Sequence, residues 1–221
     1  MPCGDHLELS IGVMEETRFK KKHSHLIKRL AKELHFTYEE MEVIMLIYYK
    51  IQKMNGEKSG GVTKVQLREI LHVAFDMTDV DLTNDVVMSM VKGPSSFVPM
   101  STWARVMSLF LRGTLEEKIS HCFKVYDVMM SGKIGRDIMV RFLRNCLVGT
   151  SDEDSEDAVK DLVELLTKKM DMDRDLKISF DDYRQTILKD PLLMECMGQC
   201  LPSRLSVHSF MISCMAKVSK L

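Results

Sequence analysis

Residues Asp171–Asp182, DMDRDLKISFDD, place oxygen-bearing groups at almost every second position of a 12-residue stretch. A helix–loop–helix cation site of that length takes its ligands from positions 1, 3, 5, 7, 9 and 12, with glycine at 6 for a sharp turn. Asp171, Asp173, Asp175 and Ser179 occupy 1, 3, 5 and 9, Lys177 offers its carbonyl at 7, and Asp182 closes the loop at 12. Two departures weaken the fit. Leu176 stands at position 6, where a left-handed backbone bearing a β-carbon costs roughly 1–2 kcal/mol. Asp182 is one methylene shorter than the glutamate that chelates with both oxygens. The stretch is expected to hold one Ca²⁺ weakly, with Mg²⁺ as a competitor, and it requires a helix on either side.

Position 8 of such a loop is apolar and usually β-branched, because paired loops exchange a short strand there and bury that side chain. Ile178 fills it. The same slot recurs at Ile134 in DVMMSGKIGRDI, at Val98 in VKGPSSFVPMST and at Val62 in NGEKSGGVTKVQ. The intervals of about 44, 36 and 36 residues form a repeat of supersecondary size. Helical apolar runs flank the loops, such as Ile119, Cys122, Phe123 and Tyr126 before the third and Trp103, Val106, Met107 and Phe110 after the second. Thr114 with Glu117 reads as a capping box for the helix before the third loop. The pattern predicts an all-α chain of four EF-hand repeats in two lobes, with short paired β-bridges and additional N- and C-terminal helices.

The repeat persists where the ligands do not. The third loop keeps Asp127 and Gly132 at positions 1 and 6 but has Met129 and Ile138 at 3 and 12, so it is expected to be empty. The second has Val91, Gly93, Ser95 and Thr102 at 1, 3, 5 and 12, with Pro94 and Pro99 inside it, and cannot bind metal. The first offers Asn55, Glu57, Ser59, Thr63 and Gln66, neutral at both ends and feeble at best.

Three strings, ILHVAFDMTD from Ile70, SLFLRGTLEEKISHCFKVYD from Ser108 and DLVELLTKKMDMDRDLKISFDDY from Asp161, resemble the calaxin family within the wider neuronal calcium sensor group. The likeness runs from about His35 to Leu205. It implies a two-lobed calcium sensor at the outer dynein arm or its docking region on doublet microtubules, in the cytoplasm and axoneme of cilia and flagella. The second and third loops of that family carry acidic ligands, whereas here the second has none and the third keeps only Asp127 at a ligand position, which implies a divergent member that keeps docking and has given up most calcium sensing.

Four segments are expected: a basic N-terminal segment and helix over 1–37, a metal-free EF-hand pair over 38–111, a second pair with the metal loop over 112–192, and an amphipathic tail over 193–221. The first helix is expected from about Leu26 to Leu34. Residues 149–157 form an acidic insert preceding a helix that Ser155 would cap, with negative charge favourable at that end. No run approaches the ~18–20 apolar residues of a membrane span, and the Met-Gly start of myristoylation is absent, so no membrane anchor is expected. The six cysteines are scattered and read as reduced thiols. Cys196 and Cys200 lack a matching Cys/His pair for a soft metal.

Nineteen methionines suit grooves that accept amphipathic helices, although most belong to core packing. Met41, Met45, Trp103 and Phe110 are candidate partner-binding positions. After Pro202, Val207, Phe210, Met211, Cys214, Met215 and Val218 form one helical stripe with Ser206 as its cap, and this tail is expected to fold onto the second-lobe groove or onto a partner. Arg18, Lys20, Lys21, Lys22, Lys28, Arg29 and Lys32 make a basic segment suited to an acidic protein surface such as tubulin, and no interleaved aromatic residues support nucleic acid. No nucleophile–base constellation, phosphate loop or catalytic zinc motif suggests an enzyme. Two classes stay open: an adaptor that grips helical or coiled-coil axonemal proteins with little ion dependence, and a calcium-dependent regulator of dynein-driven motility.

Overall fold

The computed structural model describes residues 11–56, 60–91, 93–146 and 152–215. In chain order the elements are α1 (Val13–Glu33), α2 (Tyr38–Met54), β1 (Val62–Thr63), α3 (Lys64–Phe75), α4 (Val80–Met90), β2 (Phe97–Val98) and α5 (Met100–Arg112). There follow α6 (Leu115–Tyr126), β3 (Lys133–Ile134), α7 (Arg136–Cys146), α8 (Asp152–Met170), β4 (Ile178–Ser179), α9 (Phe180–Lys189), a 3₁₀ turn (Pro191–Leu193) and α10 (Arg204–Met215). The four slots read from the repeat are joined as expected: Val62 faces Val98 in one antiparallel pair and Ile134 faces Ile178 in the other. All four are fully buried. The chain is therefore an all-α EF-hand protein with two β-bridges.

Two compact units result. The first takes the chain up to Thr78, Met90–Thr114 and the segment from Pro202 onward, and the second takes Asp79–Ser89 and Leu115–Leu201.

In the first unit α1 begins thirteen residues before Leu26, the start expected from the sequence. Its buried residues Phe19, Ile27 and Leu30 keep helical spacing through the basic run, and α1 packs on α2. Thr37 and Glu40 cap α2 reciprocally, the Thr37 hydroxyl accepting from the Glu40 N–H and the Glu40 carboxylate from the Thr37 N–H. Glu40 is 2 % exposed, and the Arg112 guanidinium meets its carboxylate at 2.6 and 2.9 Å. Tyr48 ties the β-bridge to α2, donating to the Val98 carbonyl at 2.7 Å and accepting from the Val62 N–H. Gly61 makes room for it, since a β-carbon there would lie 2.5 Å from the Tyr48 hydroxyl oxygen. Met41, Met45, Trp103 and Phe110 all sit in the core of this unit, and the Trp103 indole donates to the Ile44 carbonyl at 3.0 Å.

The C-terminal helix α10 belongs to this same unit, packed against α2, α3 and α5. Phe210, Met211 and Met215 are buried, and the Phe210 ring lies 5.1 Å from that of Phe75. The apolar stripe is the one read from the sequence, except that Val218 lies outside the described residues. Its destination differs from the expected second-lobe groove. Its cap differs too: the Ser203 hydroxyl accepts the Ser206 N–H at 3.1 Å, so Ser203 caps the helix and Ser206 lies inside its first turn.

The second unit explains why the tail goes elsewhere, because its own apolar face is covered by the segment that follows α9. Met197, Cys200 and Leu201 are buried there. The Tyr126 hydroxyl donates to the Gly198 carbonyl at 2.7 Å, Tyr183 donates to the Met194 carbonyl, and His121 Nε2 lies 3.1 Å from the Cys200 carbonyl. The Glu195 carboxylate accepts the Cys200 and Leu201 N–H groups at 2.8 Å each, closing the segment on itself. Arg184 on α9 grips Glu116 on α6 with two bonds, and Arg141 on α7 reaches Asp85 on α4. Helix α8 starts at Asp152, ahead of Ser155; the insert up to residue 151 lies outside the described residues.

Candidate metal centre

The fourth loop brings Asp171, Asp173 and Asp175 together, with one oxygen of each within 4.8 Å of the others. Among the described residues no other trio of His, Cys, Asp or Glu is so gathered. Two oxygens each about 2.4 Å from a shared Ca²⁺ can be at most about 4.8 Å apart, so the spacing suits a hard cation. The loop backbone orients the carboxylates. Asp171 accepts the Leu176 N–H at 2.8 Å and the Asp175 N–H at 3.2 Å, Asp173 also accepts the Asp175 N–H, and Asp175 accepts the Lys177 N–H at 2.9 Å. Both Leu176 and Arg174 adopt positive φ, 64° and 62°, so the turn that glycine would make freely is made here by two residues with β-carbons.

Asp182 stands apart from that trio. One of its oxygens accepts the Ser179 hydroxyl at 2.6 Å and the Ser179 N–H at 3.1 Å, and the Ser179 hydroxyl in turn accepts the Asp182 N–H. This capping box starts α9 and occupies the two residues assigned to positions 9 and 12. A cation held by Asp171, Asp173, Asp175 and the Lys177 carbonyl would recruit Asp182 only through its remaining oxygen.

A residue that the ligand pattern did not flag completes the electrostatics. Lys133, at position 7 of the third loop, is paired through the β-bridge with Ser179 and sets its ammonium on the Asp175 carboxylate. That contact holds the Asp175 carboxyl below the usual carboxylate range and raises Lys133 above the usual lysine range. The signal was present in the sequence only as register: residues adjacent to the paired position-8 slots must face one another.

The third loop closes without a ligand set. Asp127 accepts the Gly132 N–H at 2.7 Å, the Ser131 N–H at 2.9 Å and the Ser131 hydroxyl at 3.2 Å. The first loop closes by a neutral device: Asn55 and Gln66, at positions 1 and 12, exchange amide hydrogen bonds of 2.8 Å in both directions, and Asn55 also donates to the Gly61 carbonyl. Its Glu57 and Ser59 lie outside the described residues. In the second loop the Ser95 hydroxyl accepts the Phe97 N–H, and no carboxylate is present.

Of the tail residues named from the sequence, Phe210, Met211 and Met215 are buried and Val207 is half-buried. No helix among the described residues is long and apolar enough to cross a membrane.

No family model matches the chain. Calaxin of Xenopus laevis is 37% identical over 193 residues, which cover 86% of this chain and 92% of the relative. The chain belongs to the calaxin family. Human calaxin is 38% identical over 197 residues, with the same coverage of 86% and 92%. Calcineurin B of Schizosaccharomyces pombe is 27% identical over 173 residues, or 74% of this chain and 89% of the relative. Membership in the calaxin family fits the paired-loop architecture seen here, and a match spanning most of both chains covers both EF-hand pairs.

Proposed function

We propose that this calaxin-family protein is a non-enzymatic axonemal adaptor of the outer dynein arm or its docking complex, working on doublet microtubules to support ciliary or flagellar motility. The observation that carries the reading is the self-sufficiency of its loops. Asn55 and Gln66 staple the first, backbone N–H groups satisfy Asp127 in the third, and the second has no carboxylate. A ligand shifts a conformation only by its differential affinity for two states. With one defective loop left to bind Ca²⁺ or Mg²⁺ at Asp171–Asp182, that differential is small. Helical or coiled-coil docking proteins and outer-arm dynein are the expected partners. A partner helix entering the first unit's groove would compete with α10.

The test is capture of outer-arm and docking-complex proteins from axonemal extract on the immobilised chain, with and without chelator. Capture that survives chelation and the double change Asp171→Ala, Asp173→Ala is the expected result. Loss of capture on either treatment favours the second reading, a calcium-dependent regulator, whose support is the gathered Asp171, Asp173 and Asp175 trio.

A further inference from the structure

Helix α1 carries a row of cations that the intramolecular packing leaves unused. Arg18, Lys21, Lys22, Lys28, Arg29 and Lys32 follow one another at i, i+3, i+4, i+10, i+11 and i+14, with His25 between them at i+7, and all seven side chains are exposed. Those intervals define one helical face of about 21 Å at 1.5 Å per residue. The face opposite it, with Phe19, Ile27 and Leu30, is buried on α2. Lys20 lies off the row and is spent on Glu16 and Glu42. Arg29 touches Glu33 at 3.8 Å, whereas Arg18, Lys21, Lys22, Lys28 and Lys32 enter no ion pair among the described residues.

At the N-terminal end this row runs into a cavity of about 560 Å³, lined by Met14, Arg18, Phe19, Lys22, His23 and Tyr49 among others. The Phe19 ring stacks on Tyr49 at 4.6 Å and 22°, and on its other flank lies 4.6 Å from His23. The one carboxylate in the lining, Glu15, is already engaged by Lys53 and by the Tyr49 hydroxyl at 2.7 Å. The cavity is thus apolar and aromatic in its walls and cationic at its mouth, and its volume falls in the range of ligand sites.

We propose that this face binds an extended acidic peptide, rich in glutamate or aspartate, whose aromatic side chain enters the Phe19–Tyr49 cavity while its carboxylates follow the cationic row. About 21 Å of row spans roughly six residues of extended chain at ~3.4 Å each. The inference deepens the adaptor reading by naming the chemistry of one partner segment. Charge complementarity and the cavity select this occupant. A single-stranded nucleic acid binds through aromatic platforms along its path, and no phenylalanine, tyrosine or tryptophan lies along the row beyond the cavity. A membrane surface would call on the apolar face of the helix, and that face is packed inside the unit.

The test uses the purified full chain and fluorescence anisotropy with a labelled peptide of five glutamates around one phenylalanine. Micromolar binding that weakens about tenfold or more in Arg18→Glu, Lys22→Glu, survives in Arg18→Lys, Lys22→Arg, and falls severalfold when the peptide's phenylalanine becomes alanine supports the proposal. Circular dichroism confirms that each variant keeps its helix. Peptide binding indifferent to the double charge reversal overturns it, as does tighter binding to phosphatidylserine vesicles or to a single-stranded RNA than to the peptide. Axonemal capture repeated with the reversed variant separates the two readings, because capture can persist when peptide binding has failed.

Discussion

Lys133 and Asp175 sit on opposite loops of the second unit and form an ion pair across the β3–β4 bridge. A tethered ammonium therefore contests one of three carboxylates that a divalent cation would use. Lys133→Gln should raise Ca²⁺ affinity about threefold, the size of a partly exposed ion pair. Calorimetry on the wild type and the variant checks this, and equal affinities would show that the lysine swings away without cost.

Restoring the two missing loop features should strengthen the same site. Leu176→Gly relieves the left-handed strain and Asp182→Glu adds reach, and each should tighten Ca²⁺ by roughly fivefold. The same titrations should find one Ca²⁺ per chain in every variant that retains Asp171 and Asp173, and a second site would contradict the account of self-closed loops.

His121 is buried beside the Cys200 carbonyl, and burial lowers its pKa from 6.5 to about 4. Its folded pKa lies below its unfolded one, so the unfolded chain binds the proton more readily. The stability this neutral histidine contributes is fully present above about pH 6.5, declines as pH falls towards 4, and amounts to about 3 kcal/mol across that window. His121→Gln keeps a donor for the carbonyl and removes the titration. Thermal midpoints measured from pH 7 to 4 should fall less steeply for this variant.

Arg112→Met would leave the Glu40 carboxylate buried without its guanidinium partner. A loss of roughly 2–3 kcal/mol in the first unit is expected, at the low end for a broken buried pair because Arg112 itself is partly exposed. Chemical denaturation reads it, and adding Glu40→Gln should recover part of the loss.

Phe210→Ala should loosen α10 and open the groove beside Phe75. Apolar dye binding should increase, with a stability loss of up to about 3 kcal/mol. If a partner helix uses the same groove, its capture should strengthen in this variant rather than weaken.

The architecture was legible because position 8 of each loop is an apolar β-branched residue whose burial does not depend on ligands: Val62, Val98, Ile134 and Ile178 survive where the carboxylates have gone. The Asp171, Asp173 and Asp175 trio was legible for the complementary reason, since local spacing alone gathers it. What escaped were relationships between distant positions or between competing partners. The extent of α1 was hidden because its three core residues are diluted by lysines, and Asp182 carried two meanings, ligand and helix cap, that only backbone geometry separates. The destination of α10 depended on Glu195 and the segment before Leu201 having already covered the second unit, a tertiary fact without a local pattern.

The seating of α10 also sets an order of events during synthesis. Phe75 and Phe210 are neighbours in the folded first unit but 135 residues apart in the chain. At about 5–20 residues per second, a ribosome adds Phe210 some 7–27 s after Phe75. Through that interval the groove made by the early helices is uncovered, and the second unit emerges with its covering segment before the first receives its own. The nascent first unit is thus the stage at which a chaperone, or a partner's helix, has unopposed access to Phe75.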